Sequence, residues 1–321
     1  MFNNVYTQSS SRANEWEKHW SRTSDTAAHA SNAIHDRVIE RYWLSSLNIS
    51  TFKNKQVLDL AAGRGALLEI MIKYHSLQTA DGIQYCSVDL SQTALQQIKL
   101  KYPTSEVVRA DCAQLPFSTN SFDLVMSQFG IEYAGLDAFF ECSRILKKSG
   151  RFMGISHYKH GALHRECVDN LEAVDLLSNI EFFRYAQLAF HVKLAGDSDV
   201  QSKQLEMIFA DILSRFSHAV SEQPKLVGGL LLRLYNDTSY MYKNRDRFEA
   251  VAIIQWLDNM EEELNNYRAR MASMNESALD EESLDQALIA FKTKGFNNII
   301  RREISINKHT KPFAWSIEVS M

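Results

Sequence analysis

Long apolar runs are missing from this chain of 321 residues. No run of apolar side chains reaches the ~18 residues that a membrane-spanning helix needs. The N-terminal residues 1–12 are polar and lack the apolar centre of a secretory signal. These two absences predict a cytoplasmic protein with no membrane span.

Cysteine pairs and an excess of one charge are also missing. The four cysteines show no CxxC spacing: Cys86, Cys112, Cys142 and Cys167. Without an export signal, this predicts reduced thiols and indicates neither a zinc site nor a disulfide framework. The net charge is −4, with acids and bases interspersed, so no nucleic-acid surface is indicated. The fractions of apolar residues (45%) and charged residues (23%) are those of a globular protein.

Short apolar runs alternate with helical patterns through the first half of the chain. Candidate strands cover residues 56–60, 84–90, 106–110, 122–128 and 150–157, with a helix over 136–147 before the last of them. Such alternation predicts a parallel sheet covered on both faces. Two further strands, 298–306 and 314–319, are joined by a connector too short for a parallel crossover, so this pair should be antiparallel.

A glycine turn follows the first candidate strand. Gly63 and Gly65 lead from that strand into an apolar-periodic helix, and such a turn presents backbone N–H groups to a ligand. Asp59 lies at the carboxyl end of the strand, where ligands bind in open α/β sheets. Taken alone, the turn is also compatible with a dinucleotide, a nucleotide phosphate or no ligand at all.

Two more acids narrow the choice of ligand. Asp89 ends the second candidate strand, and a carboxylate there is suited to both hydroxyls of a ribose. Asp111 follows the third, where it could accept a hydrogen bond from the exocyclic amine of an adenine. With the glycine turn, these acids indicate an adenosyl group.

Several segments resemble the class I S-adenosylmethionine-dependent methyltransferases. Residues 57–65 (VLDLAAGRG) resemble motif I, and residues 87–91 (SVDLS) resemble the second motif. Residues 110–117 (ADCAQLPF) and 121–125 (SFDLV) resemble the third and fourth, most closely in the subgroup of quinone and sterol C-methyltransferases and unassigned small-molecule enzymes. Residues 144–151 resemble the usual lead into the fifth strand.

This resemblance implies a Rossmann-like fold and S-adenosylmethionine as cofactor, with S-adenosylhomocysteine as its product. Asp59 and the turn at Gly63–Gly65 would hold the methionine end, Asp89 the ribose, and Asp111 with the backbone at Cys112 the adenine. The predicted cofactor-binding residues are Asp59, Ala61, Gly63, Gly65, Asp89, Leu90, Asp111, Cys112, Ala113, Gln128 and Phe129.

The resemblance departs from the family at Ala61, where the family has a glycine. The pattern Ala61-x-Gly63-x-x-Ala66 also approximates the fingerprint of nicotinamide dehydrogenases. That alternative explains neither the segment around Asp111 nor the antiparallel terminal pair.

Methyl transfer needs little chemistry from the protein, because the methyl group of a sulfonium is already activated. The nucleophile, methyl carbon and sulfur must be aligned, water excluded and sometimes a proton removed. Gln128 and Phe129 would lie near the sulfonium and the substrate. The candidate catalytic residues are Glu132 and Tyr133 after the fourth strand and His157 at the end of the fifth. The alternatives are a helix cap for Glu132, packing for Tyr133 and a structural role for His157.

A second histidine hypothesis concerns a metal ion. His157, His160 and His164 have a spacing that could bind one. Without an accompanying carboxylate pattern, a local histidine-rich turn is favoured, and we predict no metal.

Residues 159–272 carry only helical patterns and interrupt the α/β pattern after the fifth strand. An insertion there falls at the ligand edge, which predicts a helical lid that forms the substrate pocket. Residues 1–50, with Trp16 and Trp20, are expected to be a helical cover over the cofactor. The cofactor-binding domain would comprise residues 51–158 and 273–321: a seven-stranded, mostly parallel sheet with an antiparallel terminal hairpin.

The sequence thus predicts a methyltransferase (class EC 2.1.1) that acts on a small molecule by direct in-line transfer, and it is compatible with a homodimer. One alternative is a cofactor-binding regulatory protein without catalysis. Another is a methyltransferase of RNA or protein, which the net charge of −4 and the apolar insertion disfavour.

Overall fold

The computed structural model describes residues 13–14, 16–21, 33–47, 54–75, 82–196, 199–222 and 226–321. Residues 1–12, which the sequence predicts to lack a secretory signal, lie outside these ranges. The chain divides into two compact units. Unit 1 comprises residues 1–165 and 273–321, and unit 2 comprises residues 166–272.

A seven-stranded sheet forms the centre of unit 1, in the order β3-β2-β1-β4-β5-β7-β6. Its strands are β1 Gln56–Leu60, β2 Gln84–Asp89, β3 Glu106–Arg109, β4 Phe122–Gln128, β5 Leu146–His157, β6 Asn298–Ile304 and β7 Ala314–Ser320. Strands β1 to β5 are parallel, and β7 runs antiparallel to both β5 and β6. The predicted sheet with its antiparallel terminal hairpin is confirmed.

Ten α-helices accompany these strands within the described residues. They are α1 Ala33–Ser46, α2 Ala66–His75, α3 Gln92–Lys101, α4 Leu136–Ile145, α5 Ala162–Asn179, α6 Phe182–Ala195, α7 Val200–Glu222, α8 Leu230–Lys243, α9 Ala250–Ser277 and α10 Glu281–Lys292. Residues 16–21 are also helical. In the part of the chain that the structure covers, none of the helices is both long enough and apolar enough to cross a bilayer.

Each face of the sheet buries its own apolar layer. Leu58 and Leu60 of β1 point to the layer that includes Phe139 of α4 and Phe291 of α10. Val57 points to the opposite layer, which α1, α2 and α3 cover. Since every fully buried large apolar side chain stabilises the fold by about 1.5–3 kcal/mol, these two layers hold the strand ends in register.

The boundary between α4 and β5 corrects one prediction. The helix predicted over 136–147 ends at Ile145, because Leu146 already pairs with Phe122 of β4 and has extended dihedrals. Lys147 is held within this strand by its ammonium, which lies 2.7 Å from a carboxylate oxygen of Asp123. Tertiary pairing therefore overrides the local helical pattern at residues 146 and 147.

Unit 2 is helical throughout its described residues, which confirms an all-helical insertion after the fifth strand. It has a core of its own, in which the aromatic side chains of Phe182, Phe190, Phe209 and Phe216 are completely or almost completely buried. Along α9, the side chains of Ile253, Leu257, Met260 and Leu264 belong to this core.

The strand order reverses at β1, with β2 on one side and β4 on the other. In an open α/β sheet this reversal leaves a crevice at the carboxyl ends of the strands. The turns after β1, β2 and β4 all open onto it.

Candidate active site

A cavity lies at the carboxyl ends of β1, β2 and β4. Its empty volume is about 530 Å³ when the open mouth is included. The residues that line it are Trp16, Trp20, Ala61, Asp89, Leu90, Asp111, Cys112, Phe129, Gly130, Tyr133 and Ala134. All of them belong to unit 1.

The glycine turn after β1 requires three left-handed residues. Ala61, Gly63 and Gly65 have φ values of 53°, 53° and 84°. Alanine is strained there by roughly 1–2 kcal/mol. Space for its methyl group exists only because residue 130 is glycine: a Cβ at Gly130 would lie 2.5 Å from the Cβ of Ala61.

Asp89 ties this turn to β2. Its two carboxylate oxygens accept hydrogen bonds from the backbone N–H groups of Gly63 and Ser91, each at 2.8 Å. Burial raises its pKa to about 6, although these backbone hydrogen bonds act in the opposite direction. Because each oxygen can accept more than one hydrogen bond, Asp89 can hold the turn and still face a ligand in the cavity.

Asp111 and Cys112 form the next part of the cavity wall. Since β3 ends at Arg109, Asp111 lies in the following turn, where its Oδ1 accepts a hydrogen bond from the backbone N–H of Ala113 at 2.9 Å. Burial raises the pKa of the Cys112 thiol far above its usual range. Cys112 therefore contributes a neutral wall and no thiolate nucleophile.

Asp59 is buried beneath the turn. Its Oδ2 accepts a hydrogen bond from the phenol of Tyr85 at 3.0 Å. Burial raises the pKa of Asp59 to about 8, the hydrogen bond from Tyr85 lowers it, and the charge of Asp89 raises it. Its carboxyl is therefore mostly protonated at neutral pH.

Five predicted cofactor-binding residues do not line the cavity: Asp59, Gly63, Gly65, Ala113 and Gln128. The two glycines shape the turn, and Ala113 donates to Asp111 through its backbone. Gln128 uses its side-chain oxygen to accept a hydrogen bond from the indole of Trp43 at 2.6 Å. The other six predicted residues do line it: Ala61, Asp89, Leu90, Asp111, Cys112 and Phe129.

Glu132 and His157, predicted as separate base candidates, form a buried pair. Oε1 of Glu132 accepts a hydrogen bond from the backbone N–H of His157 at 3.0 Å and lies 2.9 Å from Nδ1 of its ring. A carboxylate beside Nδ1 favours the tautomer with its proton on Nδ1, which leaves the lone pair on Nε2. Among the described residues, Nε2 is buried without a hydrogen-bond partner.

The imidazole of His157 lies directly behind the cavity wall. The ring centroid of Phe129 is 4.4 Å away and that of Tyr133 is 5.7 Å away, and both residues line the cavity. Phe129 has a φ of 51°, which is strained for a bulky residue. Such strain often marks a functional site.

Two tryptophans of the N-terminal helical residues form another wall. The ring of Trp16 meets that of Tyr133 edge-on at 5.1 Å. Trp20 lies against the glycine turn, since a Cβ at Gly63 would be 2.6 Å from its ring. Arg64 donates a hydrogen bond to the backbone oxygen of Trp20 at 2.5 Å.

Glu17 is a residue that sequence reasoning missed. Its carboxylate accepts hydrogen bonds from the hydroxyl of Ser91 at 2.7 Å and the backbone N–H of Thr93 at 3.1 Å. It thus satisfies free donors at the N-terminus of α3, where negative charge is stabilising. The only signal in the sequence is an acid between two tryptophans.

The three histidines considered for a metal do not converge. His157 pairs with Glu132, whereas His160 and His164 contact each other with ring centroids 5.6 Å apart. Within the described ranges, no three His, Cys, Asp or Glu side chains are grouped to hold a metal ion.

Comparisons with known proteins show what part of this chain is similar to. Residues 58–154 match the family described as a methyltransferase domain. A relative from Mycobacterium tuberculosis, named "Probable S-adenosylmethionine-dependent methyltransferase", is 29% identical over 128 residues, which are 37% of this chain and 44% of that relative. The match thus spans less than half of the relative's length.

Solved structures with similar folds include the YcgJ protein of Bacillus subtilis and the CMeT domain of the citrinin polyketide synthase. The first is 22% identical with a TM-score of 0.33, and the aligned part is 42% of this chain and 58% of the YcgJ chain. The second is 8% identical with a TM-score of 0.43, and the aligned part is 84% of this chain and 47% of the CMeT chain.

Residues 58–154 therefore match a methyltransferase domain, and this match implies S-adenosylmethionine as the cofactor. The donor set fits that group, because two carboxylates, Asp89 and Asp111, border one cavity.

Proposed function

We propose that the protein is a methyltransferase that transfers a methyl group from S-adenosylmethionine to a small molecule by direct in-line displacement. The observation that carries this proposal is the cavity bordered by Asp89 and Asp111 inside the methyltransferase domain. Asp89 binds the ribose hydroxyls, and Asp111 with the backbone at Cys112 binds the adenine. Asp59 and the glycine turn hold the methionine end.

The aromatic wall supplies alignment and a dry site. When bound, S-adenosylmethionine supplies a methyl group activated on a positively charged sulfur. Trp16, Phe129 and Tyr133 exclude water from the reacting atoms and hold the acceptor beside them. Gln128, anchored by Trp43, supports the same end of β4.

His157 serves as the general base in this proposal. Glu132 fixes the tautomer and orientation of the imidazole, and Nε2 receives the proton that the acceptor loses as the new bond forms, once the acceptor reaches past Phe129 and Tyr133. Glu132 then stabilises the resulting imidazolium by its negative charge. Tyr133, at the edge of the imidazole and on the cavity wall, orients the acceptor.

Carbon acids are the acceptor class that we propose first. They must lose a proton for methylation, which gives the Glu132–His157 pair a task, and residues 121–125 resemble the quinone and sterol subgroup. The net charge of −4 favours a small molecule over a nucleic acid. We also propose that unit 2 selects the substrate, since it begins in sequence at Glu166, nine residues after His157 at the end of β5.

A cytoplasmic location is also proposed. The four cysteines are free and buried, which supports a reducing compartment.

Two measurements test the cofactor and the activity separately. Calorimetry with S-adenosylmethionine tests binding, and the absence of heat at high micromolar cofactor contradicts the proposal. A coupled assay for S-adenosylhomocysteine across quinones, phenols and other small acceptors tests turnover. Binding without product across the whole panel favours the alternative, a regulatory protein that binds the cofactor.

The base is tested by substitution once an acceptor is found. His157→Ala and Glu132→Gln should each lower kcat by about 10²-fold or more, because general-base catalysis contributes about 10²–10⁴-fold. The affinity for S-adenosylhomocysteine should stay within a few-fold of wild type. His160→Asn is a matched control at an exposed histidine with a φ of 63°, which asparagine tolerates. If both variants keep the methylation rate within a few-fold of wild type, neither residue acts as the base.

A further inference from the structure

A buried polar group interrupts the apolar layer on one face of the sheet. In the register of β1 and β2, Val57 lies opposite Tyr85 and Asp59 opposite Ser87, so all four side chains project from the same face. Asp59, Tyr85 and Ser87 are 1%, 6% and 0% exposed. Their neighbours on that face include Val57 and Met126, which belong to the apolar core. Burying a carboxyl in such a layer is costly unless a partner compensates it.

The protein offsets only part of the cost of burying the Asp59 carboxyl. Asp59 accepts a hydrogen bond from the neutral phenol of Tyr85 at 3.0 Å. The titratable groups that interact with it electrostatically are acids: Asp89 at the end of β2 and the phenol of Tyr85 on its own face of the sheet, and the thiols of Cys86 and Cys112 in the opposite layer. None of these groups brings a positive charge. A cationic ligand would therefore complete the site.

We propose that Tyr85 is a positioning residue for the cofactor: its phenol orients the Asp59 carboxylate to receive the ammonium group of the methionine end. This inference rests on the proposed function, which assigns Asp59 to that end. Neither Tyr85 nor Asp59 lines the cavity: Asp59 lies beneath the turn that begins at Ala61, which does line it, and Tyr85 acts only through Asp59.

A pH dependence of cofactor binding follows. The pKa of Asp59 is raised to about 8 by burial, so below this pH its carboxyl must release a proton before it can pair with an ammonium. Affinity should then rise with pH and level off above about 8. Asp89, with a pKa of about 6, adds a separate transition at lower pH. Because the phenol of Tyr85 stabilises the charged form of Asp59, its removal should move the upper transition to higher pH.

Calorimetric titration with S-adenosylhomocysteine between about pH 6.5 and pH 9 tests this. S-adenosylhomocysteine keeps the amino-acid end of the cofactor, and the titration of its own ionisable groups affects all protein variants equally. Tyr85→Phe, which removes only the hydroxyl, should weaken binding about tenfold near pH 7 and approach wild type at the alkaline end. Asp59→Asn should bind more weakly and lack the transition near pH 8.

Tyr158→Phe is the matched control. It removes a phenol–carboxylate hydrogen bond of the same length, 3.0 Å, between Tyr158 and Glu303 at the surface. Its binding profile should coincide with that of wild type.

Three outcomes overturn the inference. The first is a pH-independent affinity in wild type, and the second is an upper transition at the same pH in Tyr85→Phe as in wild type. The third is a transition near pH 8 that persists in Asp59→Asn. If Tyr85→Phe fails to fold, the protons released when the wild-type protein binds the ligand are measured instead, by calorimetry in buffers of different ionisation enthalpy. Release of close to one proton per ligand is expected below pH 8, and no proton release contradicts the inference. Absence of binding at every pH would instead remove the proposed function.

Discussion

Gly63→Ala should lower the free energy of unfolding for two separable reasons: the left-handed backbone at this residue and its contact with Trp20. Gly63 has a φ of 53°, and a Cβ there would lie 2.6 Å from one ring carbon of Trp20 and 2.9 Å from the next. The left-handed backbone costs alanine roughly 1–2 kcal/mol. The overpacking costs about 1–3 kcal/mol more. Together they should lower the free energy of unfolding by about 2–5 kcal/mol.

Two further variants separate these contributions. Gly196 has left-handed dihedrals, φ 74° and ψ 15°, and nothing within 4 Å of its hypothetical Cβ, so Gly196→Ala reports the backbone cost alone, roughly 1–2 kcal/mol. In a Trp20→Ala background the ring is gone, and Gly63→Ala should then cost only this amount. The coupling energy of the double-mutant cycle, about 1–3 kcal/mol, measures the contact itself.

Urea unfolding gives these free energies, and calorimetry with S-adenosylhomocysteine gives the effect on the site. Since Trp20 lines the cavity and Gly196 does not, Gly63→Ala should also weaken binding, whereas Gly196→Ala should not. An equal cost of Gly63→Ala in the wild-type and Trp20→Ala backgrounds would refute the packing of Trp20 on the turn.

Two other predictions concern the same turn and the acid beneath it. Gly130→Ala should cost about 1–3 kcal/mol because its Cβ would lie 2.5 Å from that of Ala61, and adding Ala61→Gly should recover most of this loss in thermal unfolding; no recovery would contradict the contact. Burial raises the pKa of Asp59 to about 8, above its ordinary value near 4, so between these values the native state binds more protons than the unfolded state. The stability that Asp59 contributes is therefore complete below about pH 4 and is lost as pH rises through about 8. Asp59→Asn should flatten this slope in urea titrations, and an unchanged slope would show that another group causes it.

The central strands β1, β2 and β4 could be predicted from the sequence because they are buried on both faces. Such strands appear as uninterrupted apolar runs, and the predicted bounds of β1 and β4 agree with the structure residue for residue. The end of α4 could not be predicted in the same way. Residues 146 and 147 continue the helical pattern, and only the pairing of Leu146 with Phe122 turns them into strand.

The site was predictable in its residue types but not in its pairings. Glu132 and His157 were each predicted as a base, yet their hydrogen bond depends on the register that brings the ends of β4 and β5 together, 25 residues apart in the chain. Glu17 reaches Ser91 across 74 residues, and no local pattern announces such a contact. The side-chain pairings in the site therefore depend on contacts between residues far apart in the chain, which no single position of the sequence reveals.

The charge of the site argues against the dinucleotide alternative. A dinucleotide would bring an anionic pyrophosphate to the turn at Gly63, where Asp89 already occupies the backbone N–H and Asp59 lies beneath. In a buried site, further negative charge beside these carboxyls would be strongly unfavourable. S-adenosylmethionine instead brings a sulfonium and an ammonium, which lower the energy of both carboxylates and draw their raised pKa values back down. The glycine turn alone is compatible with both ligands, and the two buried acids around it favour the cation.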